Sequence, residues 1–149
     1  MINVEESINI SRPIEEVFAY VSNFRNAVEW QSGVVEMRQT PEGPVGIGTQ
    51  ITFVRTFLGR KLEGISEVVE YEPPTKHTLK STSGLPITVS RIFEPTTEGT
   101  KVTFVLEMQP GGFFALAEPL IARMLRRDVV ADIGNLKDLL ESQVGAATS

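Results

Sequence analysis

In "INVEESINI" the apolar residues Ile2, Val4, Ile8 and Ile10 alternate with Asn3, Glu5, Ser7 and Asn9, the period-two pattern of a strand with one buried face. The period changes at once in "SRPIEEVFAYVSN". There Ile14, Val17, Phe18 and Val21 recur at i, i+3, i+4 and i+7, Ser11 is placed to cap, Pro13 suits a first turn, and Glu15 and Glu16 favour a helix N-terminus. A second short helix is expected in "NFRNAVEWQ", with Phe24, Val28 and Trp30 inward and Gly33 ending it. Strands then follow at Val34–Thr40, Gln50–Leu58, Leu62–Tyr71, His77–Ser83, Pro86–Glu94 and Lys101–Met108. Their separators, "PEGPVGIG", "GR", "EPPTK", "SGLP" and "PTTEG", are rich in turn formers, and their even spacing predicts an antiparallel meander.

The stretch "QPGGFFALAEPLIARMLRRDVVADIGNLKDLLES" is helical in period. Ile121, Leu125, Val129, Ile133, Leu136 and Leu140 share one arc, and Arg123, Arg126, Arg127, Gly134 and Lys137 lie opposite, which reads as a solvated face. Pro119 either kinks this helix or stands in the first turn of a restarted one. At about 1.5 Å per residue the part after Pro119 reaches roughly 30 Å, enough to cross a sheet. The element order is therefore α+β: one strand, two short helices, six strands, one long helix. A curved sheet and a straight helix touch along limited lines, so a cavity is expected between them.

Composition narrows the classes. A chain of 149 residues with 41% hydrophobic and 22% charged content suits one folded domain, taken as residues 1–143 with "VGAATS" as a frayed tail. Without cysteine there is no disulfide, thiol nucleophile or thiolate metal site, and the single histidine, His77, leaves no multi-imidazole zinc site, so no metal and no cofactor is expected. A net charge of −5 disfavours a phosphate-tracking surface, hence no nucleic-acid partner. The N-terminus carries neither a secretory signal nor a long apolar run, so a cytoplasmic protein without an integral membrane segment is expected.

The stretches "RPIEEVFAYVSN", "EW", "GIGT", "VVEYEPP", "FEP" with "EGTKVTF", and "EPLIARMLRRDVVADIGNLKDLLE" give the chain a resemblance to the polyketide cyclase/dehydrase-like branch of the START/Bet v 1 (SRPBCC) superfamily. The similarity runs over nearly the whole chain and rests on turn and packing signatures. What it implies is a helix-grip fold, a seven-stranded curved antiparallel sheet wrapped around the C-terminal helix, with a deep apolar cavity for a hydrophobic small molecule. It does not fix a reaction, because fold alone does not carry function.

Strand phase supplies the candidate residues. Arg55 falls with Ile51, Phe53 and Phe57, and Arg91 with Ile87, Val89 and Phe93, so both arginines are expected inward. Ile65, Val69 and Tyr71 share a phase with Glu63 and Glu67, whereas Glu70 and Glu72 fall with Leu62, Gly64, Ser66 and Val68. Glu67 is thus the carboxylate nominated for the interior and for a general-acid role, with Glu6 and Asp132 of ambiguous standing. An inward Arg55 or Arg91 paired with Glu67 or Asp132 would orient a ligand carbonyl or phenol; a bulge that shifts register by one would instead turn any of these side chains to water. His77 reads as a solvent-facing strand-edge residue, though it is the one imidazole available as a base. Trp30 lines the cavity mouth or anchors its helix; Tyr20 and Tyr71 are candidate phenol donors, with core packing the alternative for Tyr20. The glycines of "PEGPVGIGT", "SGLP" and "QPGGFF" either hinge a lid or make plain turns.

The expected function is binding of a polyketide-like aromatic, lipid or isoprenoid in a pocket walled by Trp30, Phe53, Phe57, Val89, Phe93, Phe104 and Leu106, and by Leu125, Val129, Ile133 and Leu136. The alternative is a cyclase, aromatase or dehydratase in which Glu67, Arg55 or Arg91 moves protons or stabilises an enolate. A third class, an interaction module for a partner protein or its own copy, would show in solution mass; monomer and homodimer stay open.

Overall fold

The computed structural model describes residues 1–57, 59–84, 86–109, 111 and 116–148, with side chains for all of these except 57 and 143–148. In chain order the elements are β1 (Ile2–Ile10), α1 (Ile14–Ser22), a 3-10 turn (Phe24–Asn26), α2 (Ala27–Trp30), β2 (Val34–Thr40), β3 (Gln50–Phe57), β4 (Arg60–Glu72), β5 (Lys76–Ser83), β6 (Ile87–Pro95), β7 (Thr100–Met108) and α3 (Glu118–Thr148). The strands form one antiparallel sheet in the order β1-β7-β6-β5-β4-β3-β2. The meander is as the turn residues predict, and β1 joins it by pairing with β7 from Ile2↔Met108 to Ile10↔Thr100. This is the helix-grip fold: α1 and α2 stand between the first two strands, and α3 lies against the sheet.

Pro119 stands in the first turn of α3, the second of the two expected arrangements, and the helix continues through the residues predicted to fray. α3 runs alongside β1 and is tied to that segment along its length. The Met1 ammonium meets Glu118, Arg126 meets Glu6 at 2.9 Å, Lys137 Nζ donates to the Asn9 carbonyl, and the Ser11 N–H donates to Glu141. Such exposed polar contacts are each worth at most about 1 kcal/mol, so they set the helix's register while burial holds it down. Ser11, predicted as the α1 cap, is thereby used elsewhere: Pro13 occupies the cap position and no side chain caps it. Val28, predicted inward, is exposed.

The core is in two parts. The larger gathers Ile121, Leu125, Val129, Ile133, Leu136 and Leu140 of α3 with Val4 and Ile10 of β1, Phe93 of β6, and Val102, Phe104 and Leu106 of β7. The smaller consists of Phe24, Ile51 and Val68, flanked by Met37 and Leu79.

The β6–β7 turn sits directly on the end of β1. A Cβ on Gly99 would come within 2.1 Å of the Ile10 carbonyl oxygen and 2.9 Å of the Arg12 nitrogen, both backbone atoms that cannot yield. Gly99→Ala is therefore expected to lower stability by about 1–3 kcal/mol, read as a drop in the urea midpoint at unchanged slope. An unchanged midpoint would show that this turn is not seated on β1.

Candidate functional site

Between the two halves of the core lies a cavity of about 110 Å³. Val21, Phe24, Trp30, Met37, Ile51, Phe53, Leu79, Ile87, Val89, Phe104, Leu106, Leu125 and Val129 make its walls apolar. Arg55 and Arg91 project into it, and Gln31, Ser32, Thr56, Asp128 and Asp132 form one side. Ser32 and Thr56 are exposed, so the cavity meets the surface there. Local sequence builds that edge. Gly33 adopts φ +83°, a region open to glycine, and its carbonyl accepts the Thr56 N–H at 2.7 Å; the Ser32 N–H donates to Asp132 Oδ1 at 2.8 Å. The α2–β2 turn is thus latched to both β3 and α3.

Arg91 is 5% exposed. Its Nη1 donates to His77 Nε2 at 3.1 Å, and His77 Nδ1 lies 2.9 Å from Ser22 Oγ. A guanidinium has no acceptor, so Nε2 must be the unprotonated nitrogen; Nδ1 carries the proton and donates to Ser22. The Arg91 guanidinium carbon stands 5.3 Å from the Trp30 ring centroid and 5.1 Å from that of Phe104, within cation–π range. Burial, and next the charge of Arg55, pull the Arg91 pKa down to about 10, with Asp132 opposing, so it remains charged at neutral pH. Arg55 lies over the Phe53 ring at 5.2 Å; burial lowers its pKa, and Asp132 and then Asp128 oppose that. Burial also raises the Asp132 pKa, against the hydrogen bonds from Ser32. Gly64, opposite Phe53 in the β3–β4 ladder, leaves the space the ring fills, since a Cβ there would fall 2.6 Å from Phe53 Cζ.

Of the residues predicted from sequence, the structure brings Trp30, Phe53, Arg55, Val89, Arg91, Phe104, Leu106, Leu125 and Val129 together around the cavity. Phe93, Ile133 and Leu136 lie in the packed core instead, and the Phe57 side chain and Leu58 lie outside the described residues. Glu67 is a correction. The β4–β5 register passes from Val68↔Leu79 to Glu70↔Thr78, leaving Val69 as an extra residue. This bulge reverses the phase, so Tyr71 packs inward against Phe18 while Gly64, Ser66 and Val68 are the buried set upstream, and Glu67 falls with the opposite face. Its partner across the ladder is Lys80. Glu70 is ion-paired with Lys76 and accepts from Thr78.

His77 is the second correction. It is fully buried, with the rings of Phe18, Phe24 and Phe93 at 5.9, 5.0 and 5.6 Å. The expected pairing of Arg55 or Arg91 with Glu67 or Asp132 is absent too: among the described residues no carboxylate lies within 4.0 Å of either guanidinium. Sequence reasoning missed Ser22 and Asp128; the i, i+4 spacing of Asp128 and Asp132 was the available signal for the latter. The "PEGPVGIGT" loop is pinned to β4, with the Gly48 N–H donating to the Val68 carbonyl and the Val68 N–H to that of Thr49, as a turn rather than a hinge. Leu85 of "SGLP" and most of "QPGGFF" lie outside the described residues. Among the described residues no three acidic or imidazole groups cluster as a metal site, and no helix is long and apolar enough to cross a membrane.

A seven-stranded sheet gripping a terminal helix around a small polar-tipped cavity defines the class. The chain belongs to the family described as polyketide cyclase/dehydrase and lipid transport, which matches residues 1–141. No curated protein matches it. Among solved structures it is similar to the Zhui aromatase/cyclase of Streptomyces sp. R1128, at 13% identity and TM-score 0.79 over 97% of this chain and 96% of that one. It is also similar to TTHA0849 of Thermus thermophilus, at 22% identity and TM-score 0.78 over 99% of each chain. The di-domain aromatase/cyclase StfQ of steffimycin biosynthesis aligns at 18% identity and TM-score 0.76; 97% of this chain is covered, and it spans about half, 52%, of that protein.

His77 makes the fold acid-sensitive. Burial, and then the Arg91 charge, hold its pKa well below the usual 6.5, so the fold requires the neutral form. The stabilisation is complete above the unfolded pKa of about 6.5 and is lost as pH falls from there toward the folded pKa, by up to about 1.4 kcal/mol per unit. Urea unfolding at pH 7.5, 6.5 and 5.5 is expected to show this decline in the native chain and a flatter profile in His77→Gln. Parallel profiles would refute the neutral buried imidazole.

Proposed function

We propose that this protein encloses a small hydrophobic molecule in the cavity between sheet and α3. The observation that carries this reading is an apolar space, open to the surface at Ser32 and Thr56, with two guanidiniums projecting into it. Its family supports the same reading. Size refines the ligand class. Sites for drug-sized ligands run to about 300–1,000 Å³, whereas this space is about 110 Å³. A compact one- or two-ring aromatic of polyketide type suits it better than a lipid or a long isoprenoid.

The second reading is a cyclase or aromatase, favoured by the arginines, which suit a developing enolate, and by the likeness to aromatase/cyclases. Proton transfer then needs a group the cavity exposes. His77 has both nitrogens engaged, and Glu67 faces away. Asp128 and Asp132 at the rim are the carboxyls within reach, and Asp132 would be the acid–base residue of that reading.

Trp30 is the single tryptophan and stands in the cavity wall, 2% exposed. Titration with naphthalene- and chromone-type compounds is expected to quench or shift its fluorescence saturably, with micromolar-range midpoints and amide NMR shifts converging on β3, β6 and α3. A folded protein showing no response to any of them would overturn the proposal. Turnover of a poly-β-ketone that disappears in Asp132→Asn would move the assignment to the enzyme.

A further inference from the structure

Arg55 and Arg91 face one largely apolar cavity, and no carboxylate among the described residues touches either. Every aspartate and glutamate of the chain lies among the described residues, and none is within 4.0 Å of either guanidinium. The Nε–H of each is buried with no acceptor among the described residues. Arg91 has one hydrogen-bond partner among the described residues, the neutral imidazole of His77, out of five donors a guanidinium offers. Buried polar groups are ordinarily satisfied and buried charges ordinarily paired, so two such groups facing one space mark a missing partner.

We propose that the ligand enters as an anion, its delocalised acidic oxygens held by Arg91 and Arg55 and its rings lying against Trp30, Phe53 and Phe104. This rests on the binding reading above and deepens it to a chemical class: a one- or two-ring aromatic carrying a carboxylate or an equivalent oxygen anion. A guanidinium fork matches two such oxygens bidentately, and charge-assisted bonds gain strength in an apolar enclosure. A neutral carbonyl would satisfy a donor but leave the arginine charges opposed. That opposition is present, since the Arg55 charge outweighs Asp132 in lowering the Arg91 pKa. Asp132 favours both arginine charges but touches neither guanidinium; its Oδ1 accepts the Ser32 N–H at the rim, and Asp128 lines the same side.

The cradle is built in advance. Ser22 accepts from His77, which accepts from Arg91, and the Arg91 guanidinium lies against both the Trp30 and Phe104 rings. Trp30 and Phe104 themselves meet edge-on at 5.7 Å and 88°. Arg91 is thereby fixed in place before any ligand arrives, which spares the ordering cost of binding. His77 acts here as a positioning residue.

The test sets charged against neutral probes of one shape: benzoate against benzyl alcohol, and 2-naphthoate against 2-naphthalenemethanol, titrated into the intact chain at pH 7.5 and followed by Trp30 fluorescence and amide NMR. The acids are expected to bind about tenfold tighter or more than their alcohols. Arg91→Met is expected to abolish that preference by weakening the acids more than the alcohols; Arg55→Met, which keeps the Ser22–His77–Arg91 line, serves if Arg91→Met does not fold. Alcohols binding as tightly as acids would overturn the anion assignment and leave cavity binding standing. Acids favoured equally in both folded variants would overturn the arginines as counter-ions. Silence from all four probes, with Trp30 also blind to the wider aromatic panel, would sink the binding reading itself.

Discussion

The constraint on which the rest depends is the mismatch between a twisted seven-stranded sheet and a single long helix. Adjacent strands rotate by roughly 20–25°, so α3 (Glu118–Thr148) cannot follow all of them and follows β1. Its apolar arc buries itself against β1, β6 and β7. The far end of the sheet is left to Phe24, Ile51 and Val68, which form a separate small cluster. The cavity is the seam between these two solutions, lined by Phe24 and Ile51 of the small cluster and by Trp30, Phe104, Leu106, Leu125 and Val129 of the large one.

Keeping that seam open sets requirements on nearby residues. Gly64 leaves room for the Phe53 ring, Gly33 turns the chain so that Ser32 reaches Asp132, and Trp30 and Phe104 meet edge-on. The arginines are the largest departure from a stability-optimised interior. Apolar replacements of similar volume at such buried charges are often neutral or stabilising by about 1–4 kcal/mol. Their presence among largely apolar walls, with a serine–histidine line devoted to one of them, points to a use other than holding the fold.

What was legible in the sequence follows from which signals are local. Period-two alternation, turn residues and the 3.6-residue arc depend on near neighbours, and the strand order, the long helix and the inward phase of Ile51–Phe53–Arg55 and Ile87–Val89–Arg91 could be read from them. Glu67 could not, because phase was carried through Val69, and a bulge is created by pairing with β5, which leaves no mark in β4 alone. His77 was misread for a similar reason. As the second residue of β5 it resembles a strand edge, but β4 and β6 flank it with Tyr71 and Arg91, and α1 lays Ser22 and Phe18 over it. Its burial is produced jointly by β4, β6 and α1 and cannot be read from β5 alone.

The burial of His77 bears on mechanism. A solvent-facing His77 is a ready base, and with Glu67 inward the cavity would hold both an acid and a base. In the folded chain His77 is spent on orienting Arg91, and Glu67 is across the sheet, facing Lys80. What remains inside is hydrogen-bond donation without a matched proton acceptor, and the carboxyls Asp128 and Asp132 stand only at the rim. Donors that cannot exchange protons near neutral pH stabilise negative charge brought to them and generate none. An enolate-forming reaction in this space therefore needs the rim carboxyls to reach the carbon being deprotonated, whereas the proposed capture of a ready-made anion draws on donors that already line the cavity. On the proposed reading, the donors for the second task are in place and the acceptor for the first stands at the rim, in a family whose description spans cyclase/dehydrase and lipid transport.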